Sequence, residues 1–119
     1  MTKEEVLSAC LGKPGAYLDF PFGPHCACVK VGKRLIAQVF SLQEEPVATL
    51  NCDRMTGEIF RAKYPGYVVR GYHCPPVQQP YFNTIYLDQV PDEDVQALID
   101  HAYAVVVAKL PRAVRNALE

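Results

Sequence analysis

The chain has 119 residues, half of them hydrophobic, and a formal net charge of −1. That length sets a single domain, residues 1–119, as the expectation, and the apolar fraction is enough for a real core. The near-zero charge excludes a global field drawing the protein to nucleic acid or membrane, so any such affinity has to come from local patches.

Thr2 to Leu11 reads as a short helix. Thr2 can cap it, and Glu5 three residues on completes a capping box. Gly12 to Gly15 ends it. Leu18-Asp19-Phe20-Pro21-Phe22-Gly23-Pro24 follows, two aromatics held between prolines, stiff and extended because each proline fixes its own φ and biases the residue before it. This segment is either a binding loop or an anchored lead into the sheet with both Phe rings in the core, and the second is the expectation.

His25 to Val31 and Arg34 to Phe40 read as a hairpin around Gly32-Lys33, where glycine at the first central position suits a type II′ turn. That register pairs Val31 with Arg34, Val29 with Ile36 and Cys28 with Ala37. It puts Cys26, Cys28, Leu35, Ala37 and Val39 on one face and Val29, Val31, Ile36 and Phe40 on the other. Ser41 to Glu45 is a polar turn, and Val47 to Asn51 a third strand. Asp53 can cap a second helix over about Arg54 to Lys63, with Met55, Ile59, Phe60 and Ala62 as its apolar side. Tyr67 to Tyr72 reads as a strand, Cys74 to Pro80 as a proline-stiffened connection, and Tyr81 to Leu87 as another strand.

The longest pattern runs from Pro91 to Leu110. Val95, Leu98, Ile99, Ala102, Tyr103, Val106 and Leu110 recur at helical spacing. Asp92, Glu93 and Asp94 crowd the first turn, where they favour the positive end of the helix dipole, so these carboxylates need no acid–base role. Lys109 falls in the last turn and Pro111 stops the helix; Arg112 to Leu118 reads as a short terminal helix. The order α-β-β-β-α-β-β-α-α predicts an α+β domain, an antiparallel sheet with helices packed on it.

Few residues offer chemistry. Cys26 and Cys28 share a strand face near His25 and Cys52, and His73-Cys74 is a second soft pair. Cys-x-Cys is not the Cys-x-x-Cys knuckle of structural zinc sites, so core packing of the thiols is expected over metal. Five cysteines are an odd number, so reduced thiols are expected over disulfides. Cys74 beside His73 is the one neighbour pair resembling a nucleophile with its base, but strand neighbours point to opposite faces. No glycine-rich phosphate loop occurs. The chain is therefore expected to be non-enzymatic and to need no cofactor. Ala102 to Ala108 is too short to span a bilayer, and Lys3, Glu4 and Glu5 precede no apolar run of signal-peptide length, so a cytoplasmic protein without membrane contact is expected.

What remains is charge placement. Lys30 to Phe40 holds Lys30, Lys33 and Arg34 and no acid, whereas Asp88 to Asp100 holds five acids and no base. Arg54, Arg61, Lys63 and Arg70 lie on the helix and strand that follow the hairpin. A hairpin with basic residues can act as a nucleic-acid wing, because Lys and Arg neutralise phosphates and release counterions. These seven residues are the candidate nucleic-acid contacts. The alternative is a protein-interaction module presenting Val77-Gln78-Gln79 and the acidic patch at Asp92 to Asp94 to an unknown partner.

Several segments together resemble the MmcQ/YjbR family of small bacterial proteins: Leu18-Asp19-Phe20-Pro21-Phe22-Gly23, Val29-Lys30-Val31-Gly32-Lys33, Leu50-Asn51-Cys52-Asp53, Tyr64-Pro65-Gly66, Tyr72-His73, Phe82-Asn83-Thr84-Ile85 and Leu98-Ile99-Asp100-His101-Ala102-Tyr103. No piece is specific alone; the ordered set is. The resemblance implies a CyaY-like α+β fold and binding of double-stranded DNA through a double-wing arrangement. The family usually carries basic residues and a Trp between the His and the Asn-Thr segment. Here Cys74 to Tyr81 has no Lys, Arg or Trp, Phe82 stands in for the Trp, and Asn51 takes a place where the family usually has Lys. These changes remove positive charge. A CyaY-like fold also invites an iron site, which would want a dense acidic face on the first helix, where only Glu4 and Glu5 lie.

Overall fold

The structure, a computed structural model that describes residues 1–71 and 74–118, is built around one hairpin. Strands β2 (Ala27–Val31) and β3 (Arg34–Leu42) meet at Gly32-Lys33, with Val31 opposite Arg34 as the sequence predicts. Gly32 (φ +54°) and Lys33 (φ +69°) both lie in the left-handed region. The turn is therefore of type I′, not the expected II′; its twist matches that of the flanking strands. Gly32 is also required by packing, since a Cβ there would lie 2.6 Å from Leu110 Cδ2.

The register then departs from expectation. Lys30 pairs with Leu35, but Val29 pairs with Ala37, and Cys28 with Gln38. Ile36 is the extra residue of a β-bulge, which turns both Ile36 and Ala37 inward. Val29, Val31, Ile36, Ala37 and Val39 thus join one core cluster, while Phe40 turns to the opposite face with Leu35, Cys26 and Gln38. The expected placement of Ala37 and Val39 beside Cys26, and of Phe40 beside Val29, is corrected by that one residue.

Strand β3 turns through Gln43-Glu44 into β4 (Glu45–Asn51). Helix α2 (Arg54–Lys63) follows, capped by Asp53, whose carboxylate accepts from the Thr56 N–H. Then come β5 (Val68–Arg70), a 3-10 turn at Gln79–Tyr81, and β6 (Phe82–Tyr86). The Tyr72 end of the expected strand and the His73-Cys74 pair fall partly outside the described residues. A short strand not foreseen in the sequence, β1 (Tyr17–Asp19), pairs with β2. The sheet order is β1-β2-β3-β4-β6-β5, with every pairing antiparallel.

Helices α1 (Lys3–Leu11) and α3 (Asp92–Ala108) cover one face of the sheet. Thr2 and Glu5 form the reciprocal capping box, and Val6 and Cys10 pack against Val95, Leu98, Ile99, Ala102 and Val106. Helix α3 ends at Ala108, so Lys109 is its C-cap and not part of its last turn; α4 (Arg112–Asn116) follows Pro111. The result is one α+β domain.

Two apolar expectations fail. Phe20 and Phe22 are exposed, Phe22 at 69%. The inner face is already filled by α1 and α3, and the aromatic run lies beyond the end of β1. Met55 and Ile59 are exposed too, Met55 at 73%. Gly57 takes the inward position of α2, with room for only 2.9 Å between an added Cβ and Cys52 Sγ. Residues two places either side of it are rotated by about 200° and face outward.

Candidate nucleic-acid interface

Strand directions sort the charges along the molecule. Gly32 packs against Leu110 and Val114, so the β2–β3 tip docks on the junction between α3 and α4. Lys33 and Arg34 therefore share one end of the molecule with Lys109, Arg112 and Arg115. All are exposed except the half-buried Arg115. No Asp or Glu occurs in residues 20–43 or 101–118. None of these five cations forms an ion pair with a described residue.

The opposite end is acidic. It gathers the Gln43-Glu44 turn, Glu45 and the N-termini of α1 and α3 with their leading acids. Lys3 Nζ donates to Ser41 Oγ at 2.7 Å and the N-terminal amine lies 2.6 Å from Asp92 Oδ1, which tie these elements together. Of these two tight hairpin tips, only the β2–β3 tip is basic.

The seven candidate cations separate accordingly. Lys33 and Arg34 stand at the basic tip. Lys30 is engaged by Asp19 at 2.9 Å; that pairing raises the Lys30 pKa and lowers that of Asp19. Lys63 lies 2.9 Å from Asp94, which also accepts from the Tyr64 hydroxyl. The Tyr64 and Lys63 contacts hold the Asp94 carboxyl below the usual range. Arg54 pairs loosely with Glu58 one turn on, at 3.5 Å. Arg61 Nη1 donates to Asn83 Oδ1 at 2.6 Å, and Asn83 Nδ2 donates to the Gly57 carbonyl at 3.2 Å, so Arg61 latches α2 to β6. Arg70 is exposed on edge strand β5, three strand spacings or about 14 Å from β3. Of the seven, Lys33 and Arg34 stand together at the tip, while Arg61 and Arg70 both border Asn83 at a separate place on the sheet. The structure adds Lys109, Arg112 and Arg115, whose signal in the sequence is the run 101–118 without Asp or Glu.

The sequence pattern that defines the YjbR family matches residues 11–105. The chain belongs to the YjbR family. It is 29% identical over 119 residues to the YjbR protein of Escherichia coli K12, covering 99% of this chain and 98% of that one, and the same holds for its counterpart in strain O157:H7. Among solved structures, a Deinococcus radiodurans protein with a DUF419 domain superposes with a TM-score of 0.86 at 28% identity, over 98% of this chain and 87% of that one. A Pseudomonas syringae protein at 14% identity shares the fold, with a TM-score of 0.73 over 89% of this chain and 99% of that one.

In this YjbR-family chain, Asn51 and Phe82 face each other directly across β4 and β6. The five cysteines are free thiols: Cys10, Cys28 and Cys52 are buried, Cys26 and Cys74 half-buried. Among the described residues no three His, Cys, Asp or Glu side chains gather as a metal site, and no helix is long and apolar enough to cross a membrane.

Proposed function

We propose that this YjbR-family protein is a small cytoplasmic, non-enzymatic nucleic-acid-binding module that contacts duplex phosphates with its basic end. The observation that supports it is the grouping of Lys33 and Arg34 with Lys109, Arg112 and Arg115, free of ion pairs among the described residues. The double-wing arrangement implied by the family resemblance is reduced here to one basic wing, backed by the α3–α4 junction. Contacts to phosphate position a protein without reading sequence, so the binding is weak and nonspecific. Lys30, Lys63 and Arg61 are structural cations in this reading, and Arg70 lies too far off to join the same cluster. The test is duplex binding by the parent and by a Lys33→Glu, Arg34→Glu variant; equal affinity for both defeats the reading.

The outward stripe of Met55 and Ile59, with exposed Val77, supports a second reading as a protein-interaction module. The acidic patch contributes less to it than its charge implies, since Asp92 and Asp94 are already paired. A partner recovered on the chain after nuclease treatment, and lost with Met55→Ser, Ile59→Ser, favours this reading.

A further inference from the structure

The sheet face turned away from α1 and α3 carries a groove of about 600 Å³, between the connection bearing Phe22 and the one at Pro75–Gln78. That volume falls in the roughly 300–1,000 Å³ range of small-ligand sites. Among the described residues its lining holds no Asp, Glu, Lys or Arg, and the rings of Phe22, Phe40 and Phe82 contribute to it. Gln38 belongs to the same lining but is only 9% exposed, and its carboxamide makes no hydrogen bond with a described residue. The neighbouring Thr49 and Thr84 hydroxyls are matched to each other at 2.7 Å. Asn51 lies two residues along β4 from Thr49, on the same sheet face. Its Nδ2 donates to the Leu35 carbonyl at 3.3 Å, while its Oδ1 is buried and has no partner among the described residues. Asn51 lies outside the groove lining, whereas the Gln38 carboxamide is not sealed from solvent and stands in the groove unmatched by any described residue. An apolar groove that presents an available polar group to its interior is the usual form of a small-ligand site.

We propose that this groove binds an adenine base, paired to Gln38 and stacked on the phenyl rings. A carboxamide offers an acceptor beside a donor. Adenine offers the complementary pair on its N6–H/N7 edge, and again on N6–H/N1, so it matches Gln38 whichever edge enters. A lining without Asp, Glu, Lys or Arg among the described residues suits a neutral ring better than a phosphate. Stacking of bases on aromatic side chains supplies affinity without charge. The base comes either from a free nucleoside or from an unpaired position in a single strand. This inference stands apart from the basic-end reading and uses none of its residues.

The experiment is an isotope-edited NMR titration of the full chain with adenosine, with purine riboside (the same ring without N6–H), and with short single-stranded oligo(dA). Adenosine is expected to shift the Gln38, Phe40 and Phe82 resonances, and purine riboside to bind at least about fivefold more weakly. Gln38→Leu is expected to weaken adenosine by a similar factor. Phe22→Ala, at an exposed position where folding is not at stake, is expected to weaken both nucleosides. Equal affinity for adenosine and per base of oligo(dA) assigns the free nucleoside; oligo(dA) binding that Gln38→Leu weakens, without adenosine binding, assigns the strand. The proposal is overturned if no probe shifts the groove, or if Gln38→Leu and Phe22→Ala both bind as the parent does. Loss of duplex binding in Lys33→Glu, Arg34→Glu with adenosine binding intact leaves this inference standing.

Discussion

Gly57 decides which side of α2 meets the sheet. At an open helix position Gly→Ala gains about 1 kcal/mol through propensity. Here the added Cβ would lie 2.9 Å from Cys52 Sγ and 3.0 Å from an Arg61 guanidinium nitrogen already latched to Asn83. Overpacking of that kind costs about 1–3 kcal/mol. Gly57→Ala is thus expected to lower stability by about 1 kcal/mol in urea denaturation, and a gain would contradict the packing. The thiols divide just as sharply. Burial pushes Cys10 and Cys28 up to about 12 and Cys52 to about 11. Alkylation of the native protein near neutral pH is expected to mark Cys26 and Cys74 alone, with Cys74 slowed because burial raises its pKa. Mass spectrometry should find all five thiols modified only in denaturant; a third reacting at the same rate contradicts the burial.

At the scale of elements, α2 is held from both ends. Asp53 caps its start, and Asp53→Ala should cost about 1 kcal/mol. At its far end Lys63 and Tyr64 converge on Asp94 at the start of α3. The folded Asp94 pKa is depressed, so its contribution is fully present above the ordinary carboxylate value of about 3.9 and is lost as pH falls through the lower folded value. Asp94→Asn is expected to reduce stability at neutral pH and to make the acid decline shallower, measured as urea midpoints against pH. A residual decline should persist, since Asp19 and Asp100 are depressed too, by Lys30 and Lys13.

The elements visible in the sequence were those fixed by local rules. The Thr2–Glu5 capping box, the Gly32-Lys33 turn, the Asp53 cap and the stripe of α3 each need only a few neighbours along the chain. Elements set by distant packing were not visible. The bulge at Ile36 turns Phe40 outward through one unpaired residue that alternation cannot reveal. Strand β1 has three residues inside a proline–aromatic run and exists because β2 offers it an edge. Met55 and Ile59 read as core because nothing local shows Gly57 against Cys52. The candidate site divides likewise. Lys33 and Arg34 are legible as turn charges, whereas the capture of Lys30 by Asp19 and Lys63 by Asp94, and the arrival of Arg112 and Arg115 at the tip, are tertiary facts.

At the scale of the whole molecule, a net charge of −1 conceals a separation of sign along the strands. At the acidic end Asp92 and Asp94 are paired, and at the basic end the five cations form no ion pair with a described residue, Lys109 lying over the Tyr81 ring. If three to five phosphates are neutralised there, duplex affinity should fall by about one and a half to nearly three orders of magnitude between about 50 and 200 mM salt. Arg112→Glu with Arg115→Glu should weaken binding alongside the hairpin variant, whereas Arg61→Ala should act on stability through the α2–β6 latch.

The most direct test is fluorescence anisotropy of a labelled random duplex, titrated with the parent and the Lys33→Glu, Arg34→Glu variant at those two salt concentrations. Steeply salt-dependent binding by the parent, lost in the variant, is the predicted result. Absence of binding at the lower salt, or binding that the variant retains, contradicts a phosphate-contacting basic end.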